Sequence, residues 1–164
     1  MQNWKRVLAM CLCIGMLFGL SGCKRGAEPN YSSMIDAPLD VSITECLSAE
    51  TLQVMFGKTF KQTGVYENGT QVTYTSVDED GMHVVLNMQN STLSGYHVIL
   101  NSLENVVLVE NLGEVSHWCK DTHSLLTYFN GYMMEIIVIV GGDKNTQTYA
   151  IEIMRMVMRS IGGV

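Results

Sequence analysis

The sequence predicts an α+β fold in which an antiparallel sheet is flanked by helices. Three observations carry that expectation. Stretches that alternate with a period of two recur between turn signals. Two Asn-Gly pairs, Asn68-Gly69 and Asn130-Gly131, mark tight hairpins. Stretches of helical spacing stand before, between and after the strand-like text, the order expected of a sheet with helices packed on it.

Residues 1–22 read as an address rather than as part of this fold. Lys5 and Arg6 form a charged start, and Val7 to Leu20 form an apolar run. As a helix that run spans about 21 Å, short of the ~30 Å hydrocarbon core, so a secretory signal fits better than a membrane span. Leu20-Ser21-Gly22-Cys23 resembles a lipobox, the motif of bacterial lipoproteins. The resemblance implies that the Cys23 thiol takes a diacylglyceryl group and that cleavage leaves Cys23 first. An ordinary secretory cleavage site would favour a small third-last residue, where this chain has the bulky Leu20. Two acyl chains, at ~0.8 kcal/mol per buried methylene, would make a stable anchor. The expected location is the extracytoplasmic face of the cell membrane, with the membrane itself as partner through that lipid.

Residues 23–43 are polar and aperiodic, with Pro29, Pro38, Ser32 and Ser33, and read as a flexible tether. Residues 44–164 read as one domain. It opens on a short helix capped by Ser48, with Glu50 in the first turn, Leu47 and Leu52 placed as a hydrophobic staple, and Gly57 as the terminator. Strand text follows at 59–65 and 71–77, joined through Glu67-Asn68-Gly69, then at 82–88 after the turn Asp78-Glu79-Asp80-Gly81. These three should form an antiparallel meander. Leu93, Tyr96, Leu100 and Leu103 lie at helical spacing, with Asn90 or Ser91 as cap.

Strands are then expected at 105–110, 115–119, 124–129 and 132–140, the last pair around Asn130-Gly131. The segment 132–140 is nearly all apolar after Glu135, which predicts a central strand covered on both faces. An amphipathic helix closes the chain at 145–161. Its stripe of Ala150, Ile153, Met154, Val157, Met158 and Ile161 is expected to pack on the sheet beside Ile137 and Ile139.

The chain has 164 residues, with 16 acidic and 10 Lys or Arg side chains and a formal charge of −6. Loss of Lys5 and Arg6 with the leader takes that to about −8. Such a surface argues against nucleic acid or anionic headgroups as partners.

Several segments resemble small Gram-positive lipoproteins of uncharacterised function that are similar to the PsbP/Mog1-like sandwich. They are Cys46-Leu47-Ser48-Ala49-Glu50 with Phe56-Gly57-Lys58, and Val109-Glu110-Asn111-Leu112-Gly113-Glu114-Val115 followed by Trp118. The likeness continues through a turn containing Gly131 to the closing helix. Glu114 fits the acid that follows Leu-Gly in those proteins, whereas Ser116 stands where they have alanine. The resemblance implies a non-catalytic extracytoplasmic domain and supplies no catalytic residue.

His117, Cys119 and His123 form the strongest candidate for chemistry. In a strand His117 and Cys119 share a face, and His123 could return across a turn at Lys120-Asp121, giving three ligands for an open zinc site or a Cys-His pair. The plainer reading is a hairpin with Trp118 turned inward. Cys46 and Cys119 are the thiols left once Cys23 is lipidated and the leader carrying Cys11 and Cys13 is gone. They are candidates for a disulfide, or else two buried free cysteines. Met154, Met156 and Met158 suggest soft-metal binding, but on a helix Met156 points ~200° away from Met154, so core packing is expected. The acidic turn at Asp78 lacks the spacing of a calcium loop. No cofactor is expected.

The functional expectation is a lipid-anchored, non-catalytic binding or interaction module with a protein or small-molecule ligand. The alternatives are an accessory subunit of a membrane complex, docking through its sheet or closing helix, and a metal-handling protein or enzyme using His117, Cys119 and His123.

Overall fold

The computed structural model describes residues 38–66, 69–78, 82–140 and 146–162. The leader, Cys23, the tether up to residue 37, Glu67-Asn68 of the first hairpin and residues 79–81 of the acidic turn lie outside the described residues. The elements run α1 (Ile43–Cys46), α2 (Ala49–Phe56), β1 (Phe60–Tyr66), β2 (Gln71–Ser76), β3 (His83–Asn90), α3 (Leu93–Leu100), β4 (Val106–Leu108), β5 (Val115–Cys119), β6 (Ser124–Phe129), β7 (Tyr132–Ile139) and α4 (Thr146–Ser160). Among the described residues no helix is long and apolar enough to cross a membrane.

The seven strands form one antiparallel sheet in the order β1-β2-β3-β7-β6-β5-β4. The fold is therefore α+β, and the first meander pairs as the hairpin signals predict. After β3 the chain leaves the sheet through α3, reaches the far edge at β4, and returns strand by strand until β7 docks on β3. Asn130 and Gly131, with φ of 51° and 82°, make the turn that feeds β7. β7 ends up central, with six of its eight residues buried.

Alternation divides the sheet into two faces. The first carries Val72, Tyr74, Val84, Leu86, Met88, Leu125, Met134, Ile136 and Val138, and against it pack Leu47, Leu52, Ala150, Ile153, Met154 and Val157. Burying each large aliphatic side chain contributes about 1.5–3 kcal/mol. The α4 stripe therefore packs as expected, but beside Met134, Ile136 and Val138. Ile137 and Ile139 point to the opposite face, which corrects the sequence reading. Ser48 caps α2 by accepting from the Thr51 N–H at 3.2 Å, and Gly57 ends it in the left-handed conformation with φ 64°. Phe56 meets Phe60 and Tyr149 at ring-centroid distances of 5.6 and 5.0 Å, joining α2, β1 and α4. The polar pair Ser116 and Thr127, buried on this face, is satisfied at 2.8 Å, with Ser116 also donating to the Leu112 carbonyl.

Two boundaries differ from the sequence reading. The chain already packs on the domain from Pro38, so residues 38–43 join the fold instead of ending the tether. The Pro38 carbonyl accepts from Asn90 Nδ2 at 3.1 Å, the Tyr132 hydroxyl donates to the Asp40 carboxylate, and Ile43 is buried. The cap of α3 is Thr92, which accepts from the Gly95 N–H at 3.1 Å, rather than Asn90 or Ser91.

Candidate functional site

The residues singled out from the sequence are not drawn to one point. His117 and Cys119 share the second face, as their spacing requires. His123 instead sits exposed in the turn before β6 with φ 52°, its ring against Trp118 at 6.4 Å. Among the described residues no three His, Cys, Asp or Glu side chains are grouped to hold a metal ion. Cys46 and Cys119 are free and buried. Cys46 belongs to the core of the first face, whereas Cys119, next to Trp118 in β5, points to the second, where its thiol meets the Glu104 carbonyl at 3.7 Å. The sheet separates the two sulfurs. Burial, with Glu45 second, pushes the Cys46 thiol up, which keeps it protonated and unreactive. Met154 is fully buried in the core, and Met156 and Met158 pack against it.

His117 has a role of a different kind. Its Nδ1 stands 2.8 Å from the hydroxyl of Tyr96, a fully buried residue of α3, and that hydroxyl also lies 3.3 Å from the Leu126 carbonyl. Tyr96 has one proton to donate. Both contacts are satisfied together when Tyr96 donates to Leu126 and the His117 ring carries its proton on Nδ1. Burial, with His97 second, holds the His117 imidazole below its ordinary range, and burial raises the Tyr96 phenol. The pair fastens α3 to β5 and β6. Around it Leu126 and Met133 are buried, with Ile99, Leu100, Leu103, Val115 and Tyr128 packed against them.

Beyond that apolar cover the second face mixes the buried Val85 and Ile137 with polar side chains. Register places Tyr66, Gln71, Asn87 and Glu135 side by side on β1, β2, β3 and β7, one row running across the strands. At ~4.8 Å per strand the row is about 14 Å long. Asn87 Nδ2 donates to Glu135 Oε2 at 2.9 Å, and both side chains are half-buried. Next to them on β3, the Gln89 Nε2 is buried without a hydrogen-bond partner among the described residues. Such an orphan donor costs about 1–3 kcal/mol.

On the other flank lie Thr73, Thr75 and Thr63, the last meeting Thr75 at 3.1 Å, and His83, whose Nδ1 is 2.9 Å from Thr75. Burial lowers the His83 pKa, so this ring is neutral at pH 7. The row ends at Tyr66, which is 52 % exposed. Its ring lies against Gly64, where a Cβ would overlap Cε2, Cζ and Oη of the tyrosine. A register shift between Gln62 and Gly64 puts Gly64 and Tyr66 on this face.

Sequence reasoning did not find this row. Glu135 was its visible signal, a carboxylate inside an otherwise apolar central strand. The alternation of Thr73 and Thr75 against Val72 and Tyr74 was the second. No protein-family model, curated protein or solved structure matches this chain.

Proposed function

We propose that this protein is a lipid-anchored binding module of the extracytoplasmic membrane face, and that its ligand meets the polar half of the second sheet face. The observation that carries the binding role is the row Tyr66, Gln71, Asn87 and Glu135 beside the unpartnered Gln89 amide. A sheet that needed this face only for stability would cover it with apolar side chains, as α3 does over β6. Here hydrogen-bonding groups are set in register at a regular spacing instead. The anchor rests on the lipobox at Leu20 to Cys23, and the resemblance to small lipoproteins with a PsbP/Mog1-like sandwich supports the same reading.

Two measurements test the proposal. Producing cells grown with a labelled fatty acid should label the wild-type chain and leave Cys23→Ala unlabelled and released from the membrane; equal labelling of both would refute the anchor. For the binding face, a benzophenone amino acid in place of Gln71 should form adducts on irradiation of intact cells, while the same group in place of Arg155, exposed on α4, should not. Equal yields at the two positions would refute the face.

A further inference from the structure

Resting on that reading, we infer that the ligand of the Tyr66–Glu135 row is an uncharged oligosaccharide, laid across the strands with one sugar ring on Tyr66. The first ground is the platform. Because Gly64 has no side chain, the Tyr66 ring lies against the backbone of its own strand, its Cε2, Cζ and Oη in the space that a Cβ at position 64 would fill. Its 52 % exposure is large for an aromatic on a folded sheet. An exposed aromatic ring settled against its own strand in this way offers a surface to the axial C–H groups of a pyranose, which approach the negative face of a ring as an aromatic edge does.

The second ground is the chemistry of the row. Gln71 and Asn87 offer amides, each both donor and acceptor, and Glu135 offers an acceptor-only carboxylate. Hydroxyls are likewise donors and acceptors, so a run of amides complements a run of hydroxyls without fixing one polarity. A carboxylate can take two adjacent hydroxyls at once. The Asn87–Glu135 bond at 2.9 Å already sets the carboxylate in place and leaves it further acceptor capacity.

The third ground is charge and direction. A carboxylate on the row, within a chain of formal charge −6, disfavours anionic polymers. An extended peptide binds along a strand edge through its main chain, with pockets for alternate side chains. This row instead runs across four strands on the sheet face and has polar side chains where such pockets would be. A span of about 14 Å suits a short oligosaccharide.

The test uses the full chain in a detergent without a sugar headgroup, titrated calorimetrically with cellotetraose and with tetra-N-acetylchitotetraose. Binding of at least one is expected, and the stronger of the two distinguishes a plain from an acetamido sugar. Tyr66→Ala should weaken it about tenfold or more, while Tyr66→Phe, which keeps the ring, should stay within about threefold. Gly64→Val should match Tyr66→Ala, because its side chain displaces the ring; thermal unfolding of each variant controls for folding. Binding of neither sugar, or binding that survives Tyr66→Ala in the folded protein, overturns the inference. If both sugars fail while the benzophenone at position 71 still forms adducts, the binding-module reading stands and the ligand class is wrong. If the adducts fail as well, both readings fall.

Discussion

The two faces of this sheet solve opposite problems with the same seven strands. On the first, α1, α2 and α4 cover a continuous apolar layer from Phe60 to Trp118, and the hydroxyls caught inside, Ser116 and Thr127, are paired. On the second, α3 covers the β5–β7 side through Tyr96, Leu126 and Met133, and the remainder mixes Val85, Ile137 and Ile139 with amides, threonines, His83 and one carboxylate. The difference follows from the path of the chain. The crossover from β3 to the far edge has to travel over one face, and it brings a single two-turn helix there. Two turns bury a small cluster, so this face has a smaller apolar core than the first and room for polar side chains.

The comparison can be broken most sharply in the core. Ile153→Ala empties a fully buried position on the first face and should cost about 2–5 kcal/mol, a large part of the whole stability of a small domain. Chemical denaturation measures it. A loss of the same size for Gln71→Ala would mean that the polar row belongs to the stabilising core after all.

Alkaline pH probes both ends of the first face together. Burial, with Glu50 second, pushes the Tyr74 phenol up to about 12, and the hydrogen bond to Asp40 does the same for Tyr132. In the unfolded chain both lose their protons near pH 10, so the folded state binds more protons between pH 10 and 12. Stability should be intact below pH 10 and fall as pH rises through that window. Tyr132→Phe should make the fall shallower. A melting temperature that stays flat from pH 10 to 12 would contradict the burial of these hydroxyls.

Smaller effects sharpen the picture. Ser48→Ala removes the acceptor of the Thr51 N–H and should cost about 1 kcal/mol by denaturation. Gln71→Ala and Arg155→Ala, both off the core face, should each stay within about 0.5 kcal/mol by the same measurement. If the row has the binding role proposed, only the first of these two should alter ligand binding.

Local structure was legible in the sequence wherever one residue type carries one meaning. Ser48, Gly57 and Asn130-Gly131 act where they stand, because a cap, a left-handed terminator and a tight turn need only their immediate neighbours. The face assignment of β7 was harder. Residues 136–140 are all apolar, so alternation cannot say which of them look at α4, and Ile137 and Ile139 were placed on the wrong side. Glu135 held the answer, since a carboxylate turned away from the core sends 137 and 139 after it. That residues 38–43 pack on the domain was not legible, because Pro38 and Asp40 gain their partners, Asn90 and Tyr132, from strands far along the chain. The polar row was out of reach for the same reason. It needs the register of four strands and a bulge at Gln62–Gly64, and no local pattern contains those.

The way residues 38–40 are fastened has a mechanical consequence. Pro38 and Asp40 are fastened to Asn90 and Tyr132, which face each other at one end of the β3–β7 pair. Any tension arriving from the N-terminal side is handed to the two innermost strands, whose ladder holds eight residue pairs. Neither the short edge strand β4 nor the single-turn α1 has to bear that load alone. A pull from that side would therefore meet the keel of the sheet first, and the outer strands would be the last to feel it.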